Sequence, residues 1–303
     1  MGLSLVSVLH FVWRTGQRFK FNLLPNHFYS DTPDLRHLRS TTYWRQRYDT
    51  SLVNGGDVDQ QLARLKQVVA DQAGRFTDDS VWQQAGKENG EIGYGPIEAV
   101  TLYCDILHHR PARIVQVGCG VSTALILRAA QEAGYKPQIT CVEPYPTDYL
   151  RRLGAEGKIR LIPEIAQTVD RSVFTQLMAN DLLFIDSTHT VKVGSEVVRL
   201  ITDVLPRLTA GVRVHFHDIT WPYDYGSGIL DNAIFFWRES TLLWTFLINN
   251  SKYRIDYSMW MLHVDRVEEV KKLFPCYNPR VMSDGLERSP DGHVPSSVFL
   301  VAQ

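Results

Sequence analysis

The sequence predicts an α/β protein: a mainly parallel sheet with helices on both faces, preceded by a helical N-terminal cap. Three observations lead to this reading. From Pro96 onward, short β-rich apolar runs alternate with helical stretches. A glycine turn joins the first of those runs directly to a helix. The residues before about 90 do not share this alternation. Strands separated by helices are linked by right-handed crossovers, so they lie parallel.

The elements follow in chain order. Residues 1–13 are apolar, but Arg14, Arg18 and Lys20 come after them, the reverse of a secretory signal. The run is too short to span a bilayer. It is read as a helix docking on the body or on a second subunit, with a peripheral membrane contact as the alternative. Residues 23–30 form an aromatic stretch, with Pro25 and Pro33 blocking regular structure. A helix opens at Asp57, with Gln60 placed to complete the cap and Val58, Leu62, Leu65 and Val69 on one face. Gly86, Gly90, Gly93 and Gly95 mark a junction. Residues 1–90 are therefore expected to be a helical and loop cap, and residues 91–303 the α/β domain.

Within that domain a helix is expected over 97–107, then a buried strand over 113–117 and a helix over 121–133. Further strands are expected over 138–142, 159–162 and 182–185. A long helix over 193–205 leads to a fifth strand at 212–216. A helix over 231–247 and strands over 253–262 and 297–301 complete the pattern.

Composition narrows the class. The 303 residues are 44% apolar and 21% charged, with a formal net charge of −1, as in an ordinary globular protein. No long basic run is present, which argues against nucleic acid, whose binding needs clustered Lys and Arg. Cys104, Cys119, Cys141 and Cys276 are widely spaced without a CxxC pair, so neither a zinc site nor a disulfide framework is expected. A reducing, cytoplasmic setting fits.

The turn Gly118-Cys119-Gly120-Val121-Ser122-Thr123 stands between strand and helix. Glycines there allow a tight turn and close approach of a ligand to the backbone. The helix start offers free amides to a carboxylate or phosphate. Glu143, at the end of the next strand, suits the paired hydroxyls of an adenosine ribose. A solvated loop carboxylate is the alternative there. This is a Rossmann-like arrangement for an adenosine cofactor. Thr123 stands where a dinucleotide site would have Gly or Ala, and polar residues crowd the ends of the fourth and fifth strands. Both favour S-adenosylmethionine over a nicotinamide.

Those strand ends read Asp186-Ser187-Thr188-His189 and His215-Phe216-His217-Asp218. Lying side by side, they bring Asp186, His189, His217 and Asp218 towards one point. Asp186, His217 and Asp218 suit a divalent cation, and His189 a general base. Capping of a following helix is the other reading of His189, cofactor contacts or loop carboxylates are the other readings of Asp186 and Asp218, and His215 is read as structural.

The segments 114–123, 141–144, 184–189 and 215–219 resemble the methyltransferase 24 family, related to metal-dependent sugar and macrolide O-methyltransferases. The resemblance covers about residues 90–220. It implies a class I S-adenosylmethionine-dependent methyltransferase fold. It also implies that Asp186 and His189 supply a metal ligand and the base, and that His217 and Asp218 take the place of an acidic pair of ligands. Two departures stand out. Gln116 replaces the acid usual two residues before the first glycine, which implies a weaker or indirect contact to the methionine ammonium. His217 replaces a carboxylate, which widens the metal choice from Mg²⁺ to Mn²⁺, Fe²⁺ or Zn²⁺. Cofactor contacts are expected from Gln116, Gly118, Cys119, Gly120, Ser122, Thr123 and Glu143. The expected reaction is methylation of a hydroxyl on a small polar metabolite or sugar, with His27, Tyr29 and Tyr94 as wall residues. A homo-oligomer is left open. The alternatives are a nicotinamide-dependent oxidoreductase, a non-catalytic cofactor-binding protein and a non-methylating metalloprotein.

Overall fold

A computed structural model describes residues 5–22, 24, 26–70, 72–226, 229–230, 235–280 and 292–303. The chain divides into two compact units, residues 1–44 and 45–303. The division falls well before the expected boundary at residue 90. The reason is packing: Leu62, Leu65, Val68 and Val69, on a helix of residues 58–69, belong to the same core as the helices beside the sheet.

The N-terminal unit holds α1 (Leu5–Arg18) and α2 (Leu35–Ser40). Asp34 caps α2 by accepting from the amides of Arg36 and His37. His27, Phe28 and Tyr29 cluster with ring centroids 4.1–5.3 Å apart. Pro25 and Leu23, part of the expected aromatic loop, lie outside the described residues.

In the larger unit the helices are α3 (Val58–Val69), α4 (Ser80–Asn89), α5 (Pro96–His109), α6 (Val121–Glu132), α7 (Asp148–Ala155), α8 (Ser172–Thr175) and α9 (Glu196–Arg199). They continue with α10 (Glu239–Leu247), α11 (Met259–Asp265) and α12 (Val267–Leu273). The seven strands are β1 (Arg113–Val117), β2 (Gln138–Val142), β3 (Arg160–Ile162), β4 (Leu182–Ile185), β5 (Arg213–Phe216), β6 (Tyr253–Ser258) and β7 (Val298–Ala302). They form one sheet in the order β3-β2-β1-β4-β5-β7-β6. β1 to β5 run parallel, and β7 is antiparallel to both its neighbours. The strand order reverses between β1 and β4, and open α/β sheets bind ligands outside the carboxyl ends at such a switch point.

Side-chain alternation sends successive residues of each strand to opposite cores. Leu182 and Phe184 of β4 join the core with α3, α5 and α6, while Leu183 and Ile185 join that with α8, α9 and α10.

Several expectations are corrected. The helix expected from Asp231 begins at Glu239; residues 231–234 lie outside the described residues. The helix expected over 193–205 starts at Glu196, capped by the Ser195 hydroxyl, and passes into a π-helical turn at Leu200–Val204. The run 253–262 is a strand only to Ser258, whose hydroxyl caps α11. Asp57 does cap α3, accepting from the amides of Asp59 and Gln60.

Candidate active site

The glycine turn is held against β4. Gly118 has φ +82°, and a Cβ there would sit 1.7 Å from the Asp186 carbonyl oxygen. Only glycine allows that approach, which locks the first turn to the strand end bearing Asp186. The Asp186 amide donates to the Val117 carbonyl (2.8 Å). Opposite, the Glu143 carboxylate accepts from the amides of Cys119 (3.3 Å) and Tyr145 (2.9 Å). These groups line a cleft of about 190 Å³ that includes Gly118, Cys119, Gly120, Ser122, Glu143 and Asp186. Its other wall is Asn89, Glu91, Ile92, Gly93, Tyr94 and Val121.

Gln116 and Thr123, both expected to touch the cofactor, are placed differently. Each is fully buried. The Gln116 amide donates to Ser122 Oγ (3.1 Å) and its oxygen accepts from Thr123 Oγ1 (2.9 Å). Strand alternation turns Gln116 towards α6, so it braces the turn from beneath. A carboxylate there could not make the donor half of that pair.

Ile185 lies in register with Phe216, so the ends of β4 and β5 are adjacent. Asp186, His217 and Asp218 each present a ligand atom, all within 4.8 Å of one another. His217 Nδ1 is 3.3 Å from Asp186 Oδ1 and 3.6 Å from Asp218 Oδ1. That nitrogen is buried and has no hydrogen-bond partner among the described residues. A buried donor atom facing two carboxylates fits a divalent cation of the transition series. Burial opposes charge on His217, but Asp186 and Asp218 overcome it and hold the ring up to about 10. His217, and less directly His189, hold the buried Asp186 carboxyl below its usual range. The cluster therefore demands positive charge.

His189 adjoins it. Nε2 lies 3.3 Å from Asp218 Oδ2 and 3.6 Å from Asp186 Oδ1. Residues 187–190 are not helical, and His189 itself has φ +57°. On its other side Nδ1 meets Glu239 Oε2 at 2.8 Å. Burial would lower the His189 pKa, but the Glu239 hydrogen bond and the surrounding carboxylates raise it. His215 is buried, stacked on Phe184 at 4.5 Å, and bonded to the Tyr94 hydroxyl (3.2 Å). Burial and the neighbouring His217 push it well below the usual imidazole range, a neutral structural histidine as expected.

Three residues escaped the sequence reading. Glu239 backs His189. Glu98 of α5 accepts from the Ser296 amide (2.7 Å) and lies 3.9 Å from His217 Nε2. Ser296 in turn donates to Asp218 Oδ1 (3.1 Å). Glu98 did carry a signal. It and Asp105 are the acids of an otherwise apolar helix, two turns apart on one face, and buried charges require partners.

Comparison with known proteins agrees with this geometry. Residues 115–219, spanning the glycine turn and both strand ends, match the methyltransferase 24 family, described as a methyltransferase domain. An uncharacterized protein of Archaeoglobus fulgidus is 31% identical over 170 residues, 52% of this chain and 74% of that one. The chain belongs to this methyltransferase family. It is a class I S-adenosylmethionine-dependent methyltransferase. An SAH-bound methyltransferase of Podospora anserina is similar with a TM-score of 0.40 and 11% identity, covering 92% of this chain and 100% of that chain. A putative O-methyltransferase from Klebsiella pneumoniae gives 0.44 and 13%, covering 73% and 89%. For this methyltransferase, the match begins within β1 and ends just past Asp218, so it contains every cofactor and metal candidate.

Proposed function

We propose that the enzyme methylates a hydroxyl of a small polar metabolite or sugar, with His189 as the base and a divalent cation on Asp186, His217 and Asp218. The observation that carries the proposal is the meeting of those three ligand atoms within 4.8 Å, directly beside an imidazole braced by Glu239. Glu143 and the Gly118–Gly120 turn hold the ribose and methionine ends of the cofactor. Tyr94, Asn89 and Glu91 line the same cleft.

His189 Nδ1 is engaged by Glu239, so Nε2 is the nitrogen that takes the hydroxyl proton. Bound S-adenosylmethionine would supply the methyl group: the freed oxygen pair would bond to its carbon as the sulfur–carbon bond broke with the electrons kept on sulfur, giving S-adenosylhomocysteine. A bound cation would supply Lewis acidity, making the hydroxyl easier to deprotonate. The chain's own part is to align acceptor, base and methyl group. Cys104, Cys119, Cys141 and Cys276 are free thiols, the state that the cytoplasm we assign maintains.

The test combines metal analysis with turnover. His189→Ala is expected to keep metal and cofactor while turnover falls about 10²–10⁴-fold, the range for loss of a general base. Asp186→Ala is expected to lose metal and activity together. A metal-free wild type that is fully active in chelator would overturn the metal role.

A further inference from the structure

The N-terminal unit carries a surface of its own, built from none of the residues that line the cleft. Helix α1 runs for 14 residues, and Val6 to Arg14 are all exposed. At 100° per residue, Val8, Leu9, Val12 and Trp13 share one face, while His10, Arg14, Gln17 and Arg18 share the opposite one. Phe11 (70% exposed) lies on the cationic side, beside Arg18. The residues after the helix extend the same chemistry, with Phe19, Phe21 and Leu24 exposed, and Phe28 at 81%. Such a run of exposed aromatic and aliphatic side chains exceeds the scattered apolar residues normal for a soluble surface.

Charge selects the occupant. Arg14, Arg18 and Lys20 fall within this segment, and the first acidic residue of the chain is Asp31. An aliphatic and aromatic face backed by cations matches the acyl–headgroup boundary of an anionic bilayer. Apolar side chains enter the lipid there while arginines reach its phosphates. The helix is roughly 21 Å long at 1.5 Å per residue, short of a hydrocarbon core. Among the described residues no helix is long and apolar enough to cross a membrane. The helix would therefore lie in the plane of the surface.

We infer that residues 5–29 dock this methyltransferase reversibly on anionic lipid surfaces. The test is flotation of the full chain with phosphatidylcholine–phosphatidylserine vesicles against phosphatidylcholine alone. Binding is expected only with phosphatidylserine, and is expected to weaken as salt rises. Replacing three cations in Arg14→Gln/Arg18→Gln/Lys20→Gln should weaken it on the order of 100-fold, about fivefold per cation. Leu9→Ser/Trp13→Ser should also abolish flotation, and calorimetric binding of S-adenosylmethionine should be unchanged in both variants. Equal binding to both vesicle types, or wild-type flotation of the triple variant, would overturn the inference. So would a protein that floats with neither and that Leu9→Ser/Trp13→Ser converts from dimer to monomer, because α1 would then join two copies of the chain.

Discussion

Glu143 and Gln116 show how residue type and strand phase divide the work around the cofactor. Both sit at or near strand ends, but Glu143 faces the cleft and Gln116 lies beneath the turn. Glu143→Ala is expected to weaken S-adenosylmethionine binding by roughly 1–3 kcal/mol, the scale for losing a charged hydrogen-bond partner. Calorimetry on the folded variant measures this, and an unchanged affinity would remove Glu143 from the ribose site. The place of Glu143 at the cleft was legible because the carboxyl end of the second strand borders the turn after the first. The burial of Gln116 was not, because alternation fixes which face a side chain takes only once the neighbouring helices are known. Glu239 was illegible for a different reason. It is 50 residues from His189 in sequence, and only the packing of α10 beside β4 and β5 joins them.

At the scale of elements, the strands were read closely and the helices after β4 less so. Buried parallel strands such as Leu182–Ile185 are continuous apolar runs, bounded by polar residues and easily delimited. The segment 253–262 shows the limit: the alternation of Tyr253, Ile255 and Tyr257 with Arg254 and Asp256 gives way to an apolar run from Met259, and the change from strand to helix depends on Ser258 capping α11. That helix carries its own pH sensitivity. His263 is buried, and desolvation holds it down at about 4 despite a backbone hydrogen bond at Arg280. Its Nδ1 pairs with the Tyr277 hydroxyl. In the unfolded chain the imidazole titrates near 6.5, so above that pH neither state is charged and the residue has no pH effect. As pH falls from 6.5 to 4 only the unfolded chain gains the proton, and stability is lost. The loss reaches roughly 2 kcal/mol by pH 5 and about 3 kcal/mol below pH 4. Urea unfolding at pH 7 and pH 5 checks it: His263→Gln should lose less stability across that interval than wild type. An identical loss in both would assign the acid sensitivity elsewhere.

At the scale of the molecule, the residues lining the cleft beside the glycine turn and the candidate metal ligands all belong to the unit of residues 45–303. Removing residues 1–44 is therefore expected to leave cofactor affinity within about twofold, the tolerance for independent sites. Calorimetry measures it on the truncated chain, and a tenfold loss would show that the two units are coupled. The sequence by itself determined the sheet, the glycine turn with Glu143, and the pairing of Asp186 and His189 with His217 and Asp218. Local rules govern all of these: apolar runs form buried strands, glycine permits the tight turn, and parallel strands put their carboxyl ends together. Tertiary structure alone decided that α3 and α4 belong to the body, that Gln116 pairs with Ser122 and Thr123 beneath the turn, and that Glu98, Glu239 and Ser296 stand beside the candidate ligands. Each of those outcomes depends on which buried polar group finds which distant partner. A buried charge must be paired, but sequence spacing does not say with what.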